Sequence, residues 1–382
     1  MNNKKKIIKF LNTIVPKNEK LVLFSSKPDF SDNTQAVYDY MCSYPYFQGY
    51  SLIWICSKKK NASKTAVYKN SLKALWLYLR AKVIFSSHGL FAGTTVKNQI
   101  HVGLWHGMAL KRIKALSNPK YDSSEREMTF TLATSYVFQD IMARCFAIPR
   151  EDVKVLGLPR NDLLLHPDYS ALKKLAIPTA KKIVFWLPTY KRPVSVSKEH
   201  GVMNEGNCTD LGIQFWNHTS IKELDEWLNN KNVYLVIKIH TLQKFDKSLV
   251  PRMRNIQFVT ANECSDNQID LYSLLACGEA LITDYSSVYV DYLTADKPLA
   301  FVIEDMQSYG QERGFTFDNP LEYMPGKLIR TANDFLAFLT DIECENDRYK
   351  NVRAEKRKYL NIFTDDNSTK RVVEYVFGEF EE

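Results

Sequence analysis

Short apolar runs recur along this chain, each followed by a stretch of helical periodicity, and the pattern plays out twice. In the first half the runs are Leu21–Ser25, Leu52–Cys56, Val83–Ser86, His101–Trp105, Phe130–Ala133 and Val153–Leu156, with helical spacing over 33–42, 72–79 and 136–146. In the second half they are Lys182–Leu187, Tyr234–Ile239, Ile256–Val259, Ala280–Thr283 and Leu299–Ile303, with helical spacing over 221–228, 268–277 and 287–295. A run this short and this continuously apolar is a strand covered on both faces, and helices between such strands are crossovers. The expectation is therefore α/β: two doubly wound parallel sheets in tandem. The polar, proline-containing stretch 166–181 divides them, giving domains at 1–168 and 180–350, with 351–382 as C-terminal helices. The irregular stretch 193–217 reads as a long loop inside the second domain, the kind that is commonly functional.

Composition narrows the partners. With 51 basic and 43 acidic residues among 382, the net charge of +8 suits an anionic substrate or an anionic membrane surface. No strip of Lys and Arg interleaved with aromatics is present to stack bases, so nucleic acid is not expected. The seven cysteines are scattered singly without metal-ligand spacing, and read as reduced core residues of a cytoplasmic protein. No apolar run is long enough to span a bilayer, and no signal-peptide cleavage site follows the first residues. Those residues form a basic amphipathic helix instead: Ile7, Ile8, Leu11, Ile14 and Val15 recur at helical spacing beside Lys4 to Lys6. It either packs on its own domain or lies on an anionic leaflet. The aromatic, basic segment 69–82 is a second membrane-facing candidate.

In open parallel sheets, ligands bind beyond the carboxyl ends of the strands. Those ends deliver His106-Gly107 with Lys111 and Arg112, then Arg160-Asn161-Asp162, then Thr189-Tyr190-Lys191-Arg192, then Lys238 and His240, and finally Asp284 with Ser286-Ser287. His106 is the best general base or acid, since its unperturbed pKa lies near working pH and Gly107 lets a substrate approach the backbone. His240 has the same chemistry, and for either residue the plain alternative is a structural histidine. Ser286-Ser287, between an apolar strand and a helix, is either an ordinary N-cap or a phosphate seat at the positive end of a helix dipole. Arg160 and Lys191 suit phosphate oxygens, unless they are solvated surface charges. There is no P-loop, GxGxxG or GxSxG, which argues against a nucleoside triphosphatase, a nicotinamide enzyme and an α/β-hydrolase.

In order along the chain, Ser31-Asp-Asn33, Leu104-Trp-His-Gly-Met-Ala-Leu-Lys111, Gly157-Leu-Pro-Arg-Asn-Asp162, Leu187-Pro-Thr-Tyr190, Lys238-Ile-His240 and Asp284-Tyr-Ser-Ser-Val-Tyr-Val-Asp291 resemble the motifs of the CDP-glycerol glycerophosphotransferase family, the teichoic acid primases and polymerases. The resemblance covers residues 21–318. It departs where the family has His-Gly-Thr-Pro against His106-Gly-Met-Ala109, His-Pro against His240-Thr241, and Trp against Tyr190.

The resemblance implies a GT-B fold, two Rossmann-like domains facing a central cleft. It also implies transfer of a glycerol or other polyol phosphate from a CDP-alcohol (CDP-glycerol or CDP-ribitol) to an acceptor hydroxyl on a lipid-linked saccharide or growing polymer, with release of CMP. His106 then resembles the catalytic base and His240 the histidine on the donor pyrophosphate. Arg160, Ser286, Ser287, Asp284, Asp291 and Lys238 become donor-binding candidates, with Lys111, Thr189 and Lys191 as further phosphate contacts. Asp291 is left between donor hydroxyls and bracing of the serine loop. No cofactor is required on this reading; Mg²⁺ with the donor stays open, and the enzyme would work peripherally on the cytoplasmic face of the membrane.

Overall fold

The computed structural model describes residues 3–91, 96–118, 120–121, 128–188, 218–239, 252–304 and 306–379. The chain divides into two compact units, residues 1–162 with 358–382, and residues 163–357.

In the first unit the strands are β1 (Asn18–Ser25), β2 (Ser51–Cys56), β3 (Ala66–Tyr68), β4 (Ala81–Ser86), β5 (Ile100–Gly103), β6 (Phe130–Ala133) and β7 (Val153–Val155), with helices α1 (Asn3–Ile14), α2 (Asp32–Ser43), α3 (Leu72–Arg80) and α4 (Tyr136–Phe146). In the second, β8 (Lys182–Trp186), β9 (Val233–Lys238), β10 (Ile256–Val259), β11 (Ala280–Thr283), β12 (Leu299–Val302) and β13 (Lys327–Ile329) accompany α5 (Tyr169–Lys174), α6 (His218–Leu228), α7 (Ala261–Asp266), α8 (Leu271–Ala276), α9 (Val288–Tyr292), α10 (Met306–Arg313) and α11 (Ala332–Glu343). Two further helices, α12 (Lys350–Leu360) and α13 (Ser368–Phe377), end the chain.

The sheets run β3-β2-β1-β4-β5-β6-β7 and β10-β9-β8-β11-β12-β13. Every pairing is parallel. The expected α/β class with two doubly wound sheets is what is observed. In each sheet the chain starts in the middle, winds outward, then returns to wind the other way. The order reverses between β1 and β4, and again between β8 and β11.

The core follows the two-faced strands. Leu21 and Leu23 pack with Tyr78 and Leu79 of α3, against which Ile8, Leu11 and Val15 also lie. On the opposite face Phe24 stacks between Trp54 and Phe85, with Tyr38 of α2 set edge-on. The second sheet lays Trp186, Leu235, Ile237 and Ile282 against Leu224 and Leu228 of α6 and Phe335, Phe338 and Leu339 of α11. Each fully covered side chain of this size contributes about 1.5–3 kcal/mol.

Three features differ from the sequence reading. Residues 166–181 are not a bare linker. Asp168 caps α5 by accepting from the Ser170 N–H, and Ala171, Leu172, Leu175 and Ile177 are buried, so the stretch belongs to the second unit. Residues 351–382 are not a separate element, because the chain rejoins the first unit at residue 358. There Thr134 Oγ1 donates to the Leu360 carbonyl (2.6 Å), and the Asp162 carboxylate accepts the N–H groups of Ser368 (2.9 Å) and Thr369 (2.7 Å) at the start of α13. Gly157, at φ +83°, lies so close that a Cβ would fall 2.5 Å from Ser368 Oγ. Among the six described cysteines, Cys42 and Cys344 are exposed while Cys56, Cys145, Cys264 and Cys277 are buried and free. The long loop 193–217 lies outside the described residues.

His101, on β5, is buried with Nε2 2.7 Å from Ser86 Oγ. Burial pulls its pKa from 6.5 down to about 4. The unfolded chain therefore binds a proton that the folded chain refuses, and stability present above pH 6.5 is lost as the pH falls toward 4. Chemical denaturation between pH 7 and 4 should show a fall that His101→Gln reduces by on the order of 3 kcal/mol. An unchanged pH dependence in the variant would contradict the neutral, buried ring.

Candidate functional site

Three of the sequence motifs meet at the carboxyl ends of β1, β5 and β7 in the first unit. Past β5, Trp105 takes φ +52°, a left-handed conformation that a bulky residue adopts only when its surroundings hold it there. Asn33, fully buried at the start of α2, supplies the hold: its Nδ2 donates to the carbonyls of Leu104 (3.3 Å) and Trp105 (3.0 Å). Its Oδ1 accepts the Arg160 N–H at 3.0 Å. Gly107 follows at φ +128°, so the chain turns sharply on both sides of His106.

Arg160 does not extend into solvent. Its Nη1 donates to Asp32 Oδ1 at 2.6 Å and its Nη2 to the His106 carbonyl at 3.1 Å. Both partners of this ion pair are nearly buried, with side chains 9% and 13% exposed. The expected phosphate-binding arginine is thus engaged with Asp32 and with the backbone of the histidine turn.

His106 is exposed to solvent at this turn, with its ring packed against two neighbouring rings. It lies over Trp105 (centroids 4.0 Å apart) and stacks on His88 (4.8 Å, 10° between planes). Burial, then the His88 ring, then Arg160 and Lys111 push its pKa down from 6.5 toward about 4, with Asp32 opposing. Its exposure moderates the burial contribution, but the direction is the same for every group except Asp32. The ring is neutral at pH 7, the form a general base needs. Lys111 is exposed a few residues further on and acts here through its charge. His88 was not singled out in the sequence. Its signal was its place after strand β4, where Ser87-His88 leaves the sheet as His106 does after β5.

In the second unit the serine turn lies at the reversal of strand order. Leu187 N donates to the Ile282 carbonyl (2.9 Å) and Thr283 Oγ1 to the Leu187 carbonyl (2.9 Å), stitching the ends of β8 and β11 together. Asp284 is buried directly after β11, and Tyr285 is buried against Tyr309 of α10 (4.5 Å) and Phe315 (5.5 Å). Ser286 and Ser287 are then the partly exposed residues of an otherwise buried turn. Of the cap alternative, only a long bond from the Val288 N–H to Ser286 Oγ (3.5 Å) is present, and none to Ser287, which already has helical dihedrals. Helix α9 spans five residues before a 3-10 turn, so little dipole accumulates, and what the turn offers is hydroxyls and backbone N–H groups.

Asp291 is fully buried and its Oδ2 accepts from the Tyr272 hydroxyl at 2.7 Å, tying α9 to α8. Of its two expected roles, this bond is the bracing one. Lys238 closes β9, with its charge disfavoured by burial and favoured by the nearby Cys264. Thr189, Lys191 and His240 lie outside the described residues. Beyond β12 and β13 an open groove of about 1030 Å³ is lined by Met306, Gln307, Gly310, Phe315, Asn319 and Arg330, among others. Among the described residues no group of three His, Cys, Asp or Glu side chains is placed to hold a metal ion.

Residues 7–378 match the pattern of the family described as CDP-Glycerol:Poly(glycerophosphate) glycerophosphotransferase. A teichoic acid poly(glycerol phosphate) polymerase of Bacillus spizizenii is 26% identical over 96% of this chain and 94% of its own length. One of the same description from Bacillus subtilis is 26% identical over 86% of this chain, which spans 44% of that longer protein. The solved structure of the wall teichoic acid polymerase TagF superposes with a TM-score of 0.77 at 21% identity, over 98% of this chain and 92% of the other. That likeness identifies the fold as GT-B-like.

The packing and charges around His106 favour its neutral form. An NMR titration of its imidazole should find the ring neutral from pH 8 to below 6.5, with its midpoint under the ordinary value of 6.5. A midpoint at or above 6.5 would contradict the packing around it.

Proposed function

The chain belongs to the CDP-Glycerol:Poly(glycerophosphate) glycerophosphotransferase family, and from that premise we propose that it transfers glycerol phosphate, or a related polyol phosphate, from a CDP-alcohol to a hydroxyl of a teichoic acid-type acceptor. The acceptor oxygen attacks the phosphorus that carries the polyol. The bond from that phosphorus to the bridging oxygen breaks, and CMP leaves with the electron pair. His106 Nε2 or Nδ1 takes the hydroxyl proton. The observation that carries this reading is a solvent-exposed histidine seated between two sharp turns, its carbonyl fixed by Arg160.

Phosphoryl transfer is mostly positioning and charge neutralisation. In the second unit, Ser286, Ser287, Lys238 and His240 are proposed to receive the donor phosphates, with Thr189 and Lys191 as further contacts. Asp284 and Asp291 act from within, by shaping that turn. The groove beyond β12 and β13 shares Phe315, which packs on Tyr285 of the turn (5.5 Å), and suits the nucleoside end of the donor. No resident metal is required; Mg²⁺, where it takes part, arrives with the donor pyrophosphate.

Incubation with a lipid-linked saccharide acceptor and CDP-glycerol, CDP-ribitol or a UDP-sugar should release CMP from one of the CDP-alcohols. Release of UDP alone would instead make the chain a glycosyltransferase of the same fold. His106→Ala should lower turnover by roughly 10²–10⁴-fold. A loss of only a few-fold would remove His106 as the base.

Peripheral binding to an anionic membrane is the second part of the proposal. Helix α1 turns Ile8 and Leu11 inward, and Val15 just beyond it packs with them, while Ile7, Phe10 and Ile14 are left 57–64% exposed. It packs against α3, where Leu72 and Trp76 are exposed and the Arg80 guanidinium lies over the Trp76 ring. Lys6, Lys9 and Lys73 are exposed on the same two helices. Apolar side chains beside exposed cations match an interfacial helix on anionic lipid. Replacing Ile7, Phe10 and Ile14 by Ser leaves the inward stripe intact, and should release the protein from phosphatidylglycerol vesicles in a flotation assay. Undiminished flotation would remove this surface from the membrane.

A further inference from the structure

We infer that His88 is a positioning residue for His106: it stacks on the ring of the base and seats it for proton transfer. This rests on the reading of His106 as the base.

The seat is built from the sheet outward. Ser87 is buried, and its N–H donates to the Ser25 carbonyl at the end of β1 (3.1 Å). Its Oγ lies 2.8 Å from His88 Nδ1, which fixes the orientation of the His88 ring. The two imidazole planes are then nearly parallel, 10° apart with centroids separated by 4.8 Å. Rings in that arrangement present faces to one another, whereas ring nitrogens donate and accept in the ring plane. The contact is therefore stacking, and a proton relay through His88 is ruled out by geometry. His106 is gripped from two directions, by stacking on its ring and by Arg160 on its carbonyl.

The same contact sets the charge. Two imidazolium rings at this spacing repel, so each ring favours the neutral form of the other. The groups facing the pair come from every neighbouring element. Asp32, at the start of α2, favours both cationic forms; Lys27, from the loop before it, and Lys114, after β5, disfavour that of His88; Arg160 and Lys111 disfavour that of His106. Asp32 is already paired with Arg160, which leaves the balance on the neutral side.

The test compares His88→Ala, which removes stacking and charge, with His88→Phe, which keeps a flat ring and removes charge. Misplacing a catalytic group is costly, so His88→Ala should lower kcat about tenfold or more, with the donor KM little changed. His88→Phe should hold kcat within about threefold of the unaltered enzyme, since a ring of similar shape fills the seat. In both variants the acid limb of kcat/KM should move to higher pH, and the His106 imidazole should titrate at higher pH by NMR. Equal losses of kcat in the two variants, or an acid limb unmoved in both, would overturn the inference. The NMR readout stands apart from turnover. A raised His106 midpoint in His88→Phe together with an active His106→Ala would sink the base assignment while keeping the contact.

Discussion

A parallel strand buried on both faces cannot place functional groups along its length, because each of its side chains is committed to a core. Such a strand can present chemistry only where it ends. Because all strands of a sheet end on the same edge, the exits collect there. Where the order reverses, the crossovers leave to opposite sides and the exit turns are left uncovered. In this chain that constraint acts twice. The exits of β1 and β4 carry Ser25 to Asn33 and Ser86 to His88, and those of β8 and β11 carry Leu187 and the serine turn. Among the described residues, His106 leaves the sheet at β5, Arg160 at β7 and Lys238 at β9, all on the same carboxyl edges.

The reversal gives location but no rigidity. In the first unit rigidity comes from polar groups that are themselves nearly dry. An ion pair this covered loses much of its attraction to desolvation, so Asp32 and Arg160 are a poor source of net stability. They define geometry instead. Arg160 has a second donor to spend on the His106 carbonyl, and Asn33 bonds to the exits of β5 and β7 together. An apolar replacement could fill the same volume and fix none of these directions. This is how a buried arginine can hold the shape of the histidine turn.

The sequence disclosed most where the local pattern was strongest. Runs such as Ala280–Thr283 and Phe130–Ala133 end where the apolar stretch ends, since nothing else competes. The three-residue edge strands β3 and β13 carried too few residues to show a pattern, and their pairing supplies what propensity does not. The segment 268–277 looked like one helix, but Gln268 at φ +54° and the capping carboxylate of Asp270 delay α8 to Leu271, and α7 before it carried no clear signal. His106, Arg160 and the serines were visible because the resemblance and the strand ends pointed to the same places. The partners of Arg160 were not, because Asp32 is 128 positions away along the chain. His88 escaped for the same reason. Its importance lies in a ring contact between two strand exits, and neither exit alone records it.

The serine turn shows how one stretch of sequence can be read correctly in place and differently in mechanism. Strand, Asp, two serines and a helix suggest a dipole-charged phosphate seat, and the elements do follow in that order. Yet α9 has only five residues, so few peptide dipoles add in line. Charge at this turn has to be met by hydroxyls, local N–H groups and neighbouring cations. Rigidity must likewise come from elsewhere than helix length. The Asp291–Tyr272 bond ties α9 to α8, and the Tyr285–Tyr309 stack pins the turn against α10. Of the two roles left open for Asp291, its buried bond to Tyr272 is of the bracing kind. Because Asp291 sits a single turn beyond the serines, removing it would loosen the surface they present.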